Sequence, residues 1–234
     1  MASRRVVGVM ARPDQSVYPP ERIPPGQFVT EKFPVLHAGN VPRFDPGAWD
    51  LQVYGAVENP IKIDYATLRG KPQTEVHVDI HCVTTWSKLD TTWVGWSARD
   101  LLEEVRPKPD AKYVIAECEQ GYTANVLLDD LLKPNVLLAY KYGGRDLAPE
   151  HGFPLRLLVP HRYFWKSAKW LRALRFEAND EPGFWEVRGY HNNADYWGEE
   201  RYSYEGDQTL RPEPAQGEPG SPGPKDALDV KRVG

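Results

Sequence analysis

Strand-like and helix-like stretches are interleaved along this chain without settling into a strand–helix–strand repeat, and that irregularity limits the architectures open to it. Thr74–His81 alternates apolar and polar positions through Val76, Val78 and Ile80, the period of two of a half-buried strand. Trp49, Leu51 and Val53 alternate in the same way. Asn59 and Pro60 mark a turn before a second short run, 61–63, and 65–68 reads as a helical turn. Ser97 is placed to cap a helix over Ala98–Val105, with Asp100 three residues on as an approximate capping box. Further strands are expected at 112–117, 136–142, 155–159 and 170–176, with a short helix at 127–132 whose first turn is acidic. The run 155–159 is apolar throughout and is expected to be buried. Together these predict an α+β fold on a mixed sheet, not a doubly wound one.

Proline sets the limits of the globular region. Pro13, Pro19, Pro20, Pro24 and Pro25 predict an extended arm over residues 1–27. Pro212, Pro214, Pro219, Pro222 and Pro224, set among Gly and Glu, predict a disordered tail at 206–234. Residues 28–205 between them form one domain. A chain of 234 residues that is 41% hydrophobic can bury a real core. Its net charge of -4 offers no basic surplus for nucleic acid. It has no apolar run long enough for a transmembrane helix, so no membrane partner is expected. The paired Arg4 and Arg5 precede an apolar stretch, 6–11, too short for an export signal. With Cys82 and Cys118 alone there is no disulfide framework, and a cytoplasmic location is expected. Eight tryptophans and twelve tyrosines predict a wide aromatic core or a lined pocket.

Three segments could carry chemistry. Cys82 stands where the strand 74–81 gives way to a loop, a place from which a thiol can face a ligand; composition alone favours a small buried hydrophobe. His77 and His81 share one strand face and Cys82 takes the other, so the three do not converge as a zinc site would require. In His151-Gly152-Phe153-Pro154-Leu155-Arg156, Gly152 permits close backbone approach and Arg156 offers a planar donor fork for phosphate; the alternative is a turn with a surface ion pair. Lys166-Ser167-Ala168-Lys169-Trp170 places small residues between two cations, as an anion site or a plain charged turn would. Phosphate-binding glycine loops and the nucleophile elbow are missing from the sequence.

Taken in order, these segments resemble the molybdopterin-binding domain of the sulfite oxidase family over about residues 30–205. Cys82-Val83-Thr84-Thr85-Trp86-Ser87 is similar to the cysteine loop of the bacterial sulfoxide-reductase branch. The run 136–140, the segment His151 to Arg156, and Val159-Pro160 are similar to the sulfite oxidases themselves. The end Gly189-Tyr190-His191-Asn192-Asn193 with Trp197 looks like a group of uncharacterised soluble bacterial members. The resemblance implies a molybdenum-molybdopterin cofactor and oxygen-atom transfer on a small substrate, with an electron-transfer partner of unknown kind. It implies Cys82 as metal ligand and Tyr190 as the active-site tyrosine. Phe33, His37, His151, Arg156, Ser167, Ala168 and Lys169 fall on the family's cofactor-contacting segments, and the loop 117–120 faces the pterin without a single residue assigned.

Two departures bear on the substrate. Sulfite oxidases carry arginine where this chain has Ser87 and Val35, and both arginines belong to their anionic substrate pocket. Lys88, Arg162, Lys166 and Arg188 are the candidates to replace that charge. The family's immunoglobulin-like dimerisation domain and haem domain have no counterpart in these 234 residues. An S-oxide or N-oxide reductase of the same fold therefore stands beside the sulfite oxidase-like reading, and a non-catalytic cofactor-binding module beside both.

Overall fold

The computed structural model describes residues 14–203; Arg4, Arg5 and the tail 206–234 lie outside the described residues. In chain order the strands begin with β1 (Phe28–Val29), β2 (Asp50–Gly55) and β3 (Ile61–Asp64), followed by the helical turn α1 (Tyr65–Arg69). Then come β4 (Thr74–His81), β5 (Trp86–Ser97), α2 (Ala98–Val105), β6 (Tyr113–Cys118), β7 (Thr123–Leu127) and α3 (Leu128–Leu131). The chain continues through β8 (Leu137–Tyr142), β9 (Arg145–Asp146), β10 (Arg156–Leu158) and β11 (Leu171–Glu177).

Two sheets result. One runs β1-β5-β8-β10, with β4 also on β5 and β9 on β8; the other runs β3-β2-β11-β6-β7. The pairs β1–β5 and β2–β11 are parallel and the rest antiparallel, so both sheets are mixed, as an α+β fold requires. One core packs the second sheet and the buried face of α2, Leu101, Leu102 and Val105, against Leu138, Leu155 and Leu157. A second covers the first sheet with Ile80, Trp86, Trp93, Tyr163 and Trp165. Each fully buried aliphatic side chain contributes about 1.5–3 kcal/mol. Among the described residues no helix is long and apolar enough to cross a membrane.

β4 forms where its alternation placed it: Val76, Val78 and Ile80 join the second core, and Glu75 and His77 stay exposed. The strand ends in a tight turn, with Cys82 N donating to Trp86 O at 2.9 Å and Thr85 N donating to Cys82 O at 3.0 Å. Thr85 sits at φ 75, in the left-handed region. Ser97 caps α2 by accepting from Arg99 N at 3.2 Å.

The N-terminal segment contains two 3-10 turns, Gln15–Val17 and Pro20–Arg22, and is tied to the domain. Arg22 grips the carboxylate of Asp79 with two nitrogens, at 2.8 and 2.6 Å, and reaches Asp90 at 2.7 Å. β1 then lies parallel to the start of β5, pairing Phe28 with Trp86.

Candidate active site

Six loop segments converge on a cleft of about 320 Å³. All nine residues singled out in the sequence line it: Phe33, His37, Cys82, His151, Arg156, Ser167, Ala168, Lys169 and Tyr190. They come from five stretches of chain, so the convergence belongs to the fold and not to sequence proximity.

Cys82 opens the turn after β4 and is 8% exposed. Its sulfur accepts a hydrogen bond from Thr84 Oγ1 at 3.2 Å. Burial pushes the thiol above its ordinary range, against the smaller opposing pull of the Thr84 contacts. A metal binding there must displace the thiol proton.

Arg156, at the start of β10, is 2% exposed. It donates from Nη1 to His151 O at 2.9 Å and from Nη2 to Ser167 O at 2.7 Å, while its Nε is buried with no hydrogen-bond partner. Phe164 lies under the guanidinium at 4.3 Å. Lys169 donates from Nζ to Leu36 O and Glu150 O, both at 2.8 Å. Neither cation is paired with a carboxylate; both rest on backbone carbonyls. Burial accordingly lowers Arg156 to about 9 and, with the neighbouring Arg156, Lys169 to about 6. His151 is lowered to about 4 by burial and then by the same two cations, so its ring is neutral near pH 7. Burial and Lys169 lower His37 as well; its ring meets Trp170 edge-on at 5.6 Å.

The remaining predicted residues shape the walls. Ser167 Oγ accepts from Val159 N at 2.9 Å, and Ala168 is 1% exposed. Gly152 lies at φ +111; a Cβ there would press on the Lys169 and Arg156 side chains at 3.2 and 3.3 Å, so the histidine turn can close on the two cations only as glycine. Tyr190 is 5% exposed among Trp165, Trp185 and Tyr202, with ring centroids 5.3, 5.1 and 5.1 Å away. Within 117–120, Glu119 and Gln120 line the cleft, whereas Glu117 turns away to Arg175 and Tyr54. Gln120 clasps the backbone of Asn40, accepting at 3.2 Å and donating at 2.8 Å.

Thr84, Trp86 and Trp170 also line the cleft, carried there inside the motifs quoted above without a role assigned. Tyr122, Phe164 and Trp165 line it too and had not been singled out; their only signal in the sequence was the aromatic surplus, which gives no positions. His81 faces away from the cleft: Tyr196 covers it at 4.3 Å and Ser87 Oγ meets its Nδ1 at 2.8 Å, with burial lowering it to about 4. The four candidate substitute charges are all engaged elsewhere: Lys88 with Glu31 O, Arg162 with Asp130, Lys166 with Glu186 and Asn125, and Arg188 with Phe184 O.

The cleft presents one buried thiol, Cys82, and, in Arg156 Nε and Lys169, donors for an anionic, acceptor-rich edge. A molybdenum ion carried by a phosphate-bearing pterin fits that set of groups. Such a site defines a molybdopterin-dependent oxidoreductase. The family described as "Oxidoreductase molybdopterin binding domain" matches residues 38–185, and the chain belongs to it. It is therefore an oxidoreductase whose cofactor is molybdenum-molybdopterin.

Among its relatives, the chain is 49% identical over 185 residues to the "Uncharacterized oxidoreductase YuiH" of Bacillus subtilis, spanning 79% of this chain and 93% of that one. It is 28% identical over 190 residues to the "Protein-methionine-sulfoxide reductase catalytic subunit MsrP" of Ralstonia nicotianae, covering 72% of this chain but 56% of that protein. The sulfane dehydrogenase SoxCD of Paracoccus pantotrophus shares the fold, with a TM-score of 0.56 at 23% identity over 61% of this chain and 41% of that one.

Proposed function

We propose that this oxidoreductase removes the oxygen of a small, uncharged S-oxide. The observation that carries the reading is the charge around the cleft. Arg156 and Lys169 are the only Arg and Lys lining it among the described residues, and they suit the cofactor's phosphate. The four cations that could have replaced the sulfite oxidase arginines are spent elsewhere. Around Cys82 and Tyr190 the lining includes Val83, Thr84, Trp86, Trp165 and Trp185, uncharged side chains that favour a neutral substrate over a dianion. The relative from Ralstonia is by name a reductase of methionine sulfoxide in proteins, which agrees in substrate chemistry. Sulfite oxidation on the same cofactor is the second reading, favoured by Tyr190 and His151 at the sulfite oxidase positions.

In this reading Cys82 Sγ is the metal ligand. Arg156 and Lys169 pair with the phosphate, while Phe33, His37, His151, Ser167 and Ala168 fix the pterin's edges and exclude water. Bound there, the cofactor supplies the two-electron oxygen-atom transfer. Tyr190 holds a proton at its phenolic oxygen for the departing substrate oxygen. Overall the sulfoxide takes up two electrons and two protons and leaves as thioether and water, the electrons coming from an external donor protein.

The test is metal and pterin analysis of the purified protein, followed by steady-state assays with methionine sulfoxide and a reduced dye, and with sulfite and an oxidised acceptor. Turnover of the sulfoxide at low concentration is expected. Efficient sulfite oxidation would reverse the direction, and bound cofactor without turnover of either would favour a cofactor-holding module.

A further inference from the structure

Arg201 is a buried charge that the cleft does not explain. It is 9% exposed, lies beyond the residues 38–185 matched by the family, and does not line the cleft. Its guanidinium donates from Nη1 to Val83 O at 2.8 Å and from Nη2 to Pro25 O at 3.1 Å. Glu199 stands 3.7 Å away and is itself half exposed. The Tyr163 ring lies beneath at 5.0 Å. A guanidinium held mainly by carbonyls is costly to bury, so its fixed geometry needs a use.

The groups it touches supply one. Val83 directly follows Cys82, and Pro25 belongs to the segment whose Gln27 donates to Cys82 O at 3.0 Å. The backbone of the same arginine reaches the other side of the site. Arg201 O accepts from His191 N at 3.1 Å, immediately after Tyr190, and Tyr202 forms an antiparallel bridge with Tyr190. Ser203 Oγ adds bonds to Gly189 O and Tyr190 O at 3.2 and 3.1 Å. The three segments meet without slack: a Cβ on Gly26, at φ +69, would lie 2.9 Å from Glu199 Oε1 and 3.1 Å from Arg201 Nη2.

We propose that Arg201 is a positioning residue that fixes Cys82 and Tyr190 relative to each other, gripping the loop of the first through its guanidinium and the loop of the second through its backbone. The inference rests on the roles given above to those two residues. A side chain that merely filled space would need neither the charge nor two carbonyls placed to receive it.

The experiment compares amide hydrogen exchange in the purified wild-type protein, R201Q, R201K and, as control, R175Q. Arg175 forms ion pairs with Glu117, Glu177 and Glu181 and touches neither loop. R201Q is expected to speed exchange in both 81–87 and 189–192 by roughly tenfold, the equivalent of one charge-assisted hydrogen bond, while 113–127 keeps its rates. R201K keeps the charge without the two-armed fork and is expected to fall between. The thiolate-to-metal absorption of R201Q should shift or be lost with the metal, and R175Q should leave both loops unchanged. Should R201Q fail to fold, R201K alone decides. Unchanged exchange in either loop, an even rise across the whole fold or, where the wild type shows the thiolate-to-metal band, an unaltered band in R201Q overturns the proposal. A wild-type chain purified without molybdenum would count against the reading of the cleft but not against Arg201, because the exchange measurement needs no metal.

Discussion

Phe33 lies flat on His151, the ring centroids 3.9 Å apart and the planes 9° from parallel. The stack joins the segment before β2 to the turn before β10 and seals one wall of the cleft. Phe33 also meets Trp86 edge-on at 6.3 Å, so the same ring reaches the Cys82 turn. Phe33→Leu removes the stack and is expected to cost about 0.5–1.5 kcal/mol beyond lost area. It should also let water reach His151, whose ring is held to about 4 chiefly by burial. Titration of His151 by NMR should show its value rising towards the ordinary 6.5 in the variant. An unchanged titration would mean that Arg156 and Lys169, not the stack, keep the ring neutral.

Lys169 gives the site a pH signature. Burial lowers it to about 6 in the folded cofactor-free chain, whereas it is protonated up to about 10.4 when unfolded. Between these values the unfolded state binds the extra proton, so stability rises with pH; below about pH 6 both states are charged and the burial cost stands in full. Arg156 enters only above about 9, but His37, His81 and His151, all lowered in the fold, add to the slope near their unfolded 6.5, so across the window from 6 to 9 the part due to Lys169 is read as the difference between wild type and variant. Lys169→Met should raise cofactor-free stability near pH 6 and reduce the slope across that window by up to about 1.4 kcal/mol per pH unit. It should also lower cofactor occupancy, since the phosphate loses a cation. Denaturant titrations at several pH values check the first part and metal analysis the second.

Cys82→Ser separates metal ligation from packing. The thiol is buried and accepts from Thr84 and from the Val83 backbone, so a hydroxyl fits the space at a cost of about 1–2 kcal/mol. Among the described residues no cluster of three His, Cys, Asp or Glu side chains stands ready to replace it. The molybdenum should be lost or its absorption and paramagnetic signature changed, while thermal unfolding stays cooperative. Unchanged metal content with an unchanged signature would reduce Cys82 to a core residue.

What was legible in the sequence follows from what leaves a local pattern. β4 and α2 have one buried face each, and alternation at Val76, Val78 and Ile80 and the Ser97 cap located both to the residue. β5 left no such trace. It is the hub of its sheet, touching β1, β4 and β8, and Trp93, Gly95, Trp96 and Ser97 are buried in succession or nearly so, while Lys88 and Asp90 interrupt it at an irregularity where Asp90 takes φ 55. Gly95 sits against the backbone of Leu138 and Ala139, a close approach that sequence does not announce. β7 was hidden by Asn125, a polar residue buried at 2% because Lys166, Asp180 and Asn192 satisfy it. The two-residue strands β1 and β9 are too short to show a period. In the cleft, the residues with distinctive chemistry could be singled out from motif order, and Phe33, Trp86, Trp170 and Tyr190 came with those motifs. Tyr122, Phe164 and Trp165 could not, because an aromatic ring's place in a loop is decided by which loops meet.

Tyr190 and the substrate can be tested together. Its ring is fixed by Trp165, Trp185 and Tyr202, and its loop is held from residues 201–203, so removing the hydroxyl should leave the ring in place. Tyr190→Phe is therefore expected to keep wild-type molybdenum content while lowering turnover of the S-oxide by roughly 10²–10⁴-fold, the range for losing a positioned acid. Sulfite should be a poor substrate for both proteins. Neither Val35 nor Ser87 lines the cleft, so neither position supplies an anion with a charge-assisted contact, worth about 1.5–3 kcal/mol each. None of the four candidate cations repays that loss, because Arg162 is locked on Asp130, Lys166 on Glu186, Lys88 on Glu31 O and Arg188 on Phe184 O, and Arg201 beside the Cys82 loop spends its donors on Val83 O and Pro25 O. The Michaelis constant for sulfite should accordingly lie far above that for methionine sulfoxide, and adding salt should change the sulfoxide reaction little, because its substrate carries no charge into the cleft. A low Michaelis constant for sulfite, rising steeply with salt, would show that a cation reaches the substrate after all and would sink the neutral-substrate reading.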